Sequence, residues 1–295
     1  MEFKDNFINR YKELTDLDKF LEICQIPLRK SVRVNTLKSS VSEIKKAFPG
    51  SKPVPWCEEG LWVSQRGVGN TPEHFLGKIY VQEAASMIPP IVLSPKKEEL
   101  VLDCCAAPGS KTTQLSMMMK NSGLIIANEL DYIRMKPLDI NLERCGCLNV
   151  LKTNMDAMHI RTNFDKILLD APCSGIGTIR KSPKTPQIYN TNMIKKLAGV
   201  QKSLILRMFD NLSESGTMTY STCTLEPEEN EGVINFLLER RDNAKIQNIN
   251  LNIKRSPAVL EFEGKKYNEE VKKCLRIWPQ DNDTEGFFVT KITKQ

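Results

Sequence analysis

The sequence predicts a doubly wound α/β fold with a mostly parallel sheet, preceded by a smaller α+β module. Three observations predict it. From about residue 96, short continuously apolar runs alternate with helical stretches, the pattern of strands buried on both faces of a parallel sheet. Right-handed crossovers between such strands put helices on both faces. Small-residue turns, acids and cysteines fall just after the apolar runs, where open α/β sheets bind their ligands. The expected division is residues 1–95 for an accessory α+β domain and 96–295 for the main domain.

Before the boundary, "DKFLEICQ" reads as a helix, "SVRVNTL" as a strand and "SVSEIKKAF" as a helix opened by a serine cap. "PGSKPVPWCEEG" reads as a loop, and "QEAASMIPPIVL" as a helix ended at Pro89-Pro90. After the boundary come a strand in "ELVLDCC", a helix in "KTTQLSMMM", a strand in "GLIIANE" and a helix in "DYIRMKPLDINLERCG", with Pro137 inside it. "NVLKT" and "KILLD" are strands. "TNMIKKLAGVQKSLILRMFDNL" is a long helix, "GTMTYST" a strand, and "EPEENEGVINFLLER" a helix with Pro227 in its first turn. "GFFVTKI" alternates as a last strand.

With 295 residues, 40% of them apolar, the chain can bury one large core, or a main domain and a smaller one. No apolar run approaches the ~20 residues of a membrane helix. "MEFKDNFINRYKEL" is too polar for a secretory signal. Nine cysteines, an odd number, favour reduced thiols and a cytoplasmic protein over a disulfide framework. Net charge is +6 and unevenly spread. Ala171 to Phe209 holds no acid but carries Arg180, Lys181, Lys184, Lys195, Lys196, Lys202 and Arg207; Arg29, Lys30, Arg33 and Lys38 form a second cluster. Either run alone is ordinary solvated surface; two together favour a polyanionic partner.

The strand ends carry the chemistry. The first is followed by "DCCAAPGSKTT", a small-residue turn whose next helix offers free N–H groups to an anion such as a carboxylate. Gly109 stands alone, so the dinucleotide glycine fingerprint is missing, and so is the leading glycine of a P-loop. Glu129, after the second strand, can accept both hydroxyls of a ribose. Asp156, after the third, can meet an adenine amino group. Singly these are ordinary surface acids; together they suit an adenosine with a carboxylate tail, and S-adenosylmethionine fits. The expected cofactor set is Cys105, Ala106, Ala107, Pro108, Gly109, Ser110, Lys111, Glu129, Arg134, Asp156 and Asp170. "LLDAPCSG" ends the fourth strand with Asp170 and Cys173, and "STCTLEPEENEG" ends the fifth with Cys223. If those strands are neighbours, ~4.8 Å apart, both cysteines project into one crevice. Cysteine more commonly packs as a small hydrophobe; Cys24, Cys57, Cys104, Cys145, Cys147 and Cys274 are read that way. Zinc would want paired C-x-x-C spacing and histidines, and His74 and His159 lie in neither motif, so no metal is expected.

Taken together, these stretches resemble the NOL/NOP/Sun-type RNA (cytosine-5) methyltransferases over most of the chain. "SVRVNTLK" is similar to that family's N-terminal module, "YVQEAASM" to the segment leading into its catalytic domain, and "DCCAAPGSKT" to its cofactor loop. "LLDAPCSGIGTIRKSP" and "YSTCTLEPEENEGVI" resemble its two cysteine motifs, and "WPQDNDTEGFFVTKI" its final strands. Ser110 replaces a usual glycine and Glu129 a usual aspartate, both tolerable changes. "KSPKTPQIY", after Arg180, departs from the family pattern.

The resemblance implies a Rossmann-like, class I methyltransferase fold, S-adenosylmethionine as cofactor, and methyl transfer to carbon 5 of a cytosine. That carbon is a poor nucleophile until a thiolate adds to carbon 6. The residues leave open which thiol attacks, since DNA cytosine methyltransferases use the cysteine after proline, here Cys173. The RNA family implies attack by Cys223 and product release by Cys173, with Asp170 at the cytosine's polar edge or the cofactor. The expected partner is RNA, transfer RNA ahead of ribosomal RNA, held by the run 180–207 and the cluster around Arg33. Neither a membrane nor a second copy is expected, so the chain would act as a monomer. A nucleotide-dependent oxidoreductase lacks its glycine fingerprint. A silent RNA-binding relative would have lost a cysteine or the cofactor loop.

Overall fold

The computed structural model describes residues 3–182 and 184–295; Met1, Glu2 and Pro183, touched by the readings of the N-terminus and of the 180–190 segment, lie outside the described residues. Two helices open the chain, α1 (Asp5–Tyr11) and α2 (Leu17–Gln25), the second capped by the Asp16 carboxylate, which accepts from the Lys19 N–H. An antiparallel sheet follows, built from β1 (Lys30–Val34), β2 (Lys52–Val54), β3 (Cys57–Val63) and β4 (Ile79–Val81) in the order β2-β3-β1-β4. Its connections contain α3 (Val41–Ala47), with Ser40 capping the Glu43 N–H as expected, and α4 (Pro72–Phe75).

Two expectations fail here. Residues 49–60 are not a loop, since they hold β2 and the start of β3. Pro53 is accommodated because β2 is an edge strand, where a missing N–H leaves no ladder bond unmade. The prolines of "IPPIVL" do not end a helix. They begin one, α5 (Ile88–Leu93), because the first helical turn has no internal acceptor for the missing N–H groups.

Among the described residues the main sheet has eight strands: β5 (Leu100–Asp103), β6 (Leu124–Asn128), β7 (Val150–Thr153), β8 (Phe164–Asp170), β9 (Leu212–Thr222), β10 (Ala244–Gln247), and, after a small hairpin of β11 (Glu261–Phe262) and β12 (Lys265–Lys266), β13 (Leu275–Ile277) and β14 (Phe287–Lys294). The order is β10-β14-β9-β8-β5-β6-β7, with β13 also on β14. Strands β5 to β9 pair in parallel, and β14 enters antiparallel to β9, giving the mostly parallel sheet that was expected. The crossovers carry α6 (Ser110–Met118), α7 (Tyr132–Cys145), α8 (Thr191–Asp210) and α9 (Glu231–Leu238); α10 (Pro279–Asn282) precedes β14. Pro137 lies inside α7 without ending it, between an Asp131 cap and Gly146 at φ 74°.

Strand β8 shows why both faces are covered. Ile167 and Leu169 pack with Ile205 and Phe209 of α8, while Leu168 packs on the other face with Leu115 and Met119. Successive side chains point to opposite faces, so a continuous apolar run is needed, and the sequence supplies it. Helix α9 begins at Glu231, not Glu226. Glu226, Glu229 and Asn230 are fully buried and hold an irregular turn through their side chains, Thr222 Oγ1 donating to Asn230 Oδ1 at 2.5 Å and Asn230 Nδ2 to the Thr224 carbonyl at 3.1 Å.

Helices α1 and α2 pack on the loops after β8 and β9. Phe7, Tyr11 and Phe20 form one cluster with Ile176, Tyr189, Leu225 and Trp278. Among the described residues no helix is long and apolar enough to cross a membrane.

Candidate active site

The C-terminal ends of β8 and β9 lie side by side because Asp170 pairs with Ser221 in a parallel ladder. Each strand ends in a turn carrying a cysteine, and Cys173 Sγ lies 3.4 Å from Cys223 Sγ. Both cysteines are partly exposed, and all nine cysteines are free. The turns are braced from below by glycine. A Cβ on Gly177 would lie 2.2 Å from the Gly286 carbonyl oxygen and 2.7 Å from that of Cys223, so only glycine lets the two backbones approach. The Gly177 N–H donates to the Cys223 carbonyl at 2.9 Å.

Its surroundings act on the Cys173 thiol. Hydrogen bonding to Cys223, burial and the nearby Glu229 carboxylate push the Cys173 thiol well above its usual range. Cys173 therefore keeps its proton.

Asp170 sits beside the cysteines. Its carboxylate accepts from Lys111 Nζ at 2.6 Å and from Ser221 Oγ at 2.7 Å. Lys111 comes from the first turn of α6. Burial opposes its charge, but Asp170 outweighs that and the ammonium is held above its ordinary range. The sequence placed Lys111 at the start of the helix after the first strand and among the cofactor candidates; its contact with Asp170 needed the tertiary fold.

Among the remaining cofactor candidates, Ala106, Ala107 and Gly109 are buried in the turn after β5, Cys105 and Ser110 are partly exposed, and Pro108 is exposed. Gly109 has φ 99° and a Cβ there would meet Leu138 Cδ1 at 3.0 Å. Glu129 is 3% exposed and accepts from the Ala107 N–H at 3.2 Å and the Asp131 N–H at 3.1 Å. Arg134 donates to the Ala107 carbonyl at 2.8 Å and lies 3.4 Å from the Glu129 carboxylate. These bonds tie the turn after β5 to the end of β6. Asp156 is exposed after β7 and caps the short turn 157–159, its Oδ1 accepting from Met158 N at 2.9 Å.

Asp103, which sequence reasoning missed, is 1% exposed at the end of β5, and burial lifts its carboxyl to about 7. Thr112 donates to its Oδ2 at 2.7 Å, and its Oδ1 has no partner among the described residues. One signal could have found it: an acid closes an otherwise apolar strand, where a buried charge is costly.

The basic cluster needs correction. Arg33 is fully buried and donates to Gln82 Oε1 at 2.5 Å, the Ser110 carbonyl at 2.6 Å and Thr113 Oγ1 at 2.8 Å. It fastens β1 to α6 and cannot reach a phosphate. Arg29 pairs with Asp283 at 2.6 Å and stacks on Trp62, and Lys38 donates to the Arg144 carbonyl at 2.7 Å. Arg180 is buried too, bonded to Asp283 at 2.7 Å and the Thr284 carbonyl at 3.0 Å. Lys181, Lys184, Lys195 and Lys196 are exposed. A 680 Å³ cavity lies away from these strand ends, between residues 13–19 and 254–264. No cluster of metal-ligating side chains occurs among the described residues.

Known proteins resemble this chain along most of its length. Residues 90–293 match the family described as 16S rRNA methyltransferase RsmB/F, and residues 3–84 match the N-terminal domain of 16S rRNA methyltransferase RsmF. The chain is 43% identical to a tRNA (cytosine(49)-C(5))-methyltransferase of Pyrococcus abyssi, covering 100% of this chain and 99% of that protein. It is 43% identical to the ribosomal RNA small subunit methyltransferase F of Shewanella amazonensis, covering 94% of this chain but only 61% of that protein. The crystal structure of a methyltransferase homologue from Pyrococcus horikoshii superposes with a TM-score of 0.88 at 38% identity, over 99% of this chain and 96% of that one.

Proposed function

The chain belongs to the RsmB/F family of RNA methyltransferases, and we propose that it methylates carbon 5 of a cytosine in transfer RNA through a covalent bond from Cys223 to the base. It is an RNA methyltransferase of the cytosine-C5 type. Transfer RNA is preferred because the P. abyssi relative matches from end to end. Ribosomal RNA is the second reading, favoured by the S. amazonensis relative, of which this chain spans 61%. The cytoplasm, where such RNAs are matured, is the proposed location, and the chain is proposed to act as a monomer.

The residues after β5 and β6 fit S-adenosylmethionine. Asp103 Oδ1, which has no partner among the described residues, would take a donor such as the amino-acid ammonium of that cofactor, and the N–H groups at the start of α6 would take its carboxylate. Ala106, Ala107 and Gly109 are buried and allow close approach, and Glu129, Arg134 and Asp156 would hold the nucleoside end. When bound, this cofactor supplies an electrophilic methyl group.

The chain's own residues do the rest. The Cys223 thiolate adds to carbon 6 of cytosine, forming an S–C bond and making carbon 5 nucleophilic. Lys111 and Asp170 present a donor and an acceptor to the polar edge of the base. After methylation, the carbon 5 proton leaves to water, the ring double bond reforms and the S–C bond breaks. Cys173 keeps its S–H and hydrogen-bonds the departing Cys223 sulfur.

The 3.4 Å contact between the two sulfurs is the observation that carries this reading. It is tested with labelled S-adenosylmethionine, transfer RNA and ribosomal RNA. Cys223→Ala should lose methylation and any covalent complex, while Cys173→Ala should accumulate protein trapped on RNA. Trapping by the Cys223 variant would reverse the roles; label in ribosomal RNA alone would favour the second reading.

A further inference from the structure

Glu229 lies in the irregular turn after Cys223 and is fully buried. Its carboxylate reaches both cysteine turns at once. Oε1 accepts from the Ser174 N–H at 2.9 Å and from Gln201 Nε2 of α8 at 2.9 Å. Oε2 accepts from the Ser174 hydroxyl and from Thr224 Oγ1 at 3.2 Å. Ser174 follows Cys173 and Thr224 follows Cys223, and their hydroxyls are themselves 2.8 Å apart. One acidic side chain thus bridges the residues next to both sulfurs.

We propose that Glu229 is a positioning residue that locks the two cysteine-bearing turns together and gives the two sulfurs different tasks. The inference rests on the reading of Cys223 as nucleophile. A neutral side chain could brace the turns through hydrogen bonds alone. A carboxylate does more, because a fixed negative charge beside Cys173 opposes a second one there. A thiolate on Cys173 is therefore disfavoured, and Cys173 keeps its proton. Burial raises the Glu229 carboxyl, opposed by its bonds from Ser174, Gln201 and Thr224. Among the described residues, the other titratable groups facing this pocket are Cys223, the Lys111–Asp170 pair of α6 and β8, Tyr220 of β9, whose hydroxyl donates to the Glu229 carbonyl at 2.6 Å, and Glu226 of the same turn, held by Arg10 of α1. Helix α8 contributes the uncharged Gln201.

The test reads thiol ionisation directly. Alkylation of Cys173 by iodoacetamide is followed by peptide mass spectrometry across pH, in the full chain carrying Cys223→Ser so that the neighbouring sulfur is not modified first. Adding Glu229→Gln should lower the pH of half-maximal Cys173 alkylation by about one unit, roughly a tenfold gain in reactivity at neutral pH. Glu229→Asp should restore the original profile. An unshifted profile in a folded Glu229→Gln protein overturns the proposal. If Glu229→Gln does not fold, Ser174→Ala, which removes one bond to the carboxylate, should shift the profile in the same direction by a smaller amount; no shift overturns it likewise. Methylation by the Cys223→Ser protein itself would instead sink the nucleophile assignment, so the two failures are distinguishable.

Discussion

Asp103 and Glu226 are buried carboxyls that both rise to about 7, chiefly through desolvation. Each binds its proton more tightly folded than unfolded. The stability this confers is fully present below the ordinary carboxylate range and is lost as pH rises through about 7. The melting temperature should therefore fall between about pH 5 and pH 8, and Asp103→Asn should flatten that slope in a scanning melt. A slope unaffected by the substitution would show that Asp103 is ionised in the folded protein. The same unpartnered oxygen should matter for the cofactor, and Asp103→Asn should weaken S-adenosylmethionine binding by calorimetry. The local sequence marks Asp103 as a strand-ending acid and does not say how deeply it is buried. Its burial comes from β6 and β8 closing on either side of β5.

Among elements, the turn after β8 and the start of β14 are coupled through Gly177 and Gly286. Gly177→Ala pushes a methyl into two carbonyl oxygens, neither on a movable side chain. It should cost about 2–3 kcal/mol in denaturant unfolding. It should also depress methylation beyond that loss, since one carbonyl belongs to Cys223. Activity and stability equal to wild type would mean the two backbones separate freely. Helix α1 acts on the same region from the other side. Tyr11 donates to Glu226 Oε1 at 2.7 Å and Arg10 pairs with its Oε2 at 2.9 Å, so an N-terminal helix steadies the run after Cys223. Elements with a strict period were legible, including the strands of the parallel sheet and α8. Those set by side-chain bonding were not. The acidic run 226–230 has helical composition, yet its buried polar groups find better partners outside a helix.

For the whole molecule, the distribution of positive charge separates fold from recognition. Arg33 and Arg180 are internal fasteners, while Lys195 and Lys196 project from α8 into solvent. Arg33→Met should cost about 3 kcal/mol of stability and leave the salt dependence of RNA binding unchanged. Lys195→Ala with Lys196→Ala should keep the melting temperature and weaken binding. The slope of log affinity against log salt should become shallower by about one or more. A steep slope surviving both lysine substitutions would move the RNA path off α8. Charge counting along the chain cannot make this distinction, because burial of an arginine is a property of what packs over it.

Local order in the chain was enough to determine the alternation of strands and helices, the parallel sheet, the small-residue turn after β5 and the presence of two cysteine motifs. Those features depend on near neighbours and on periodicity, which the order of residues contains. The pairing of β8 with β9, the 3.4 Å meeting of the sulfurs, the Lys111–Asp170 contact and the Glu229 bridge were decided by tertiary structure alone. Each joins residues whose separation along the chain is far longer than any repeat, and only the closing of the sheet brings them within bonding distance.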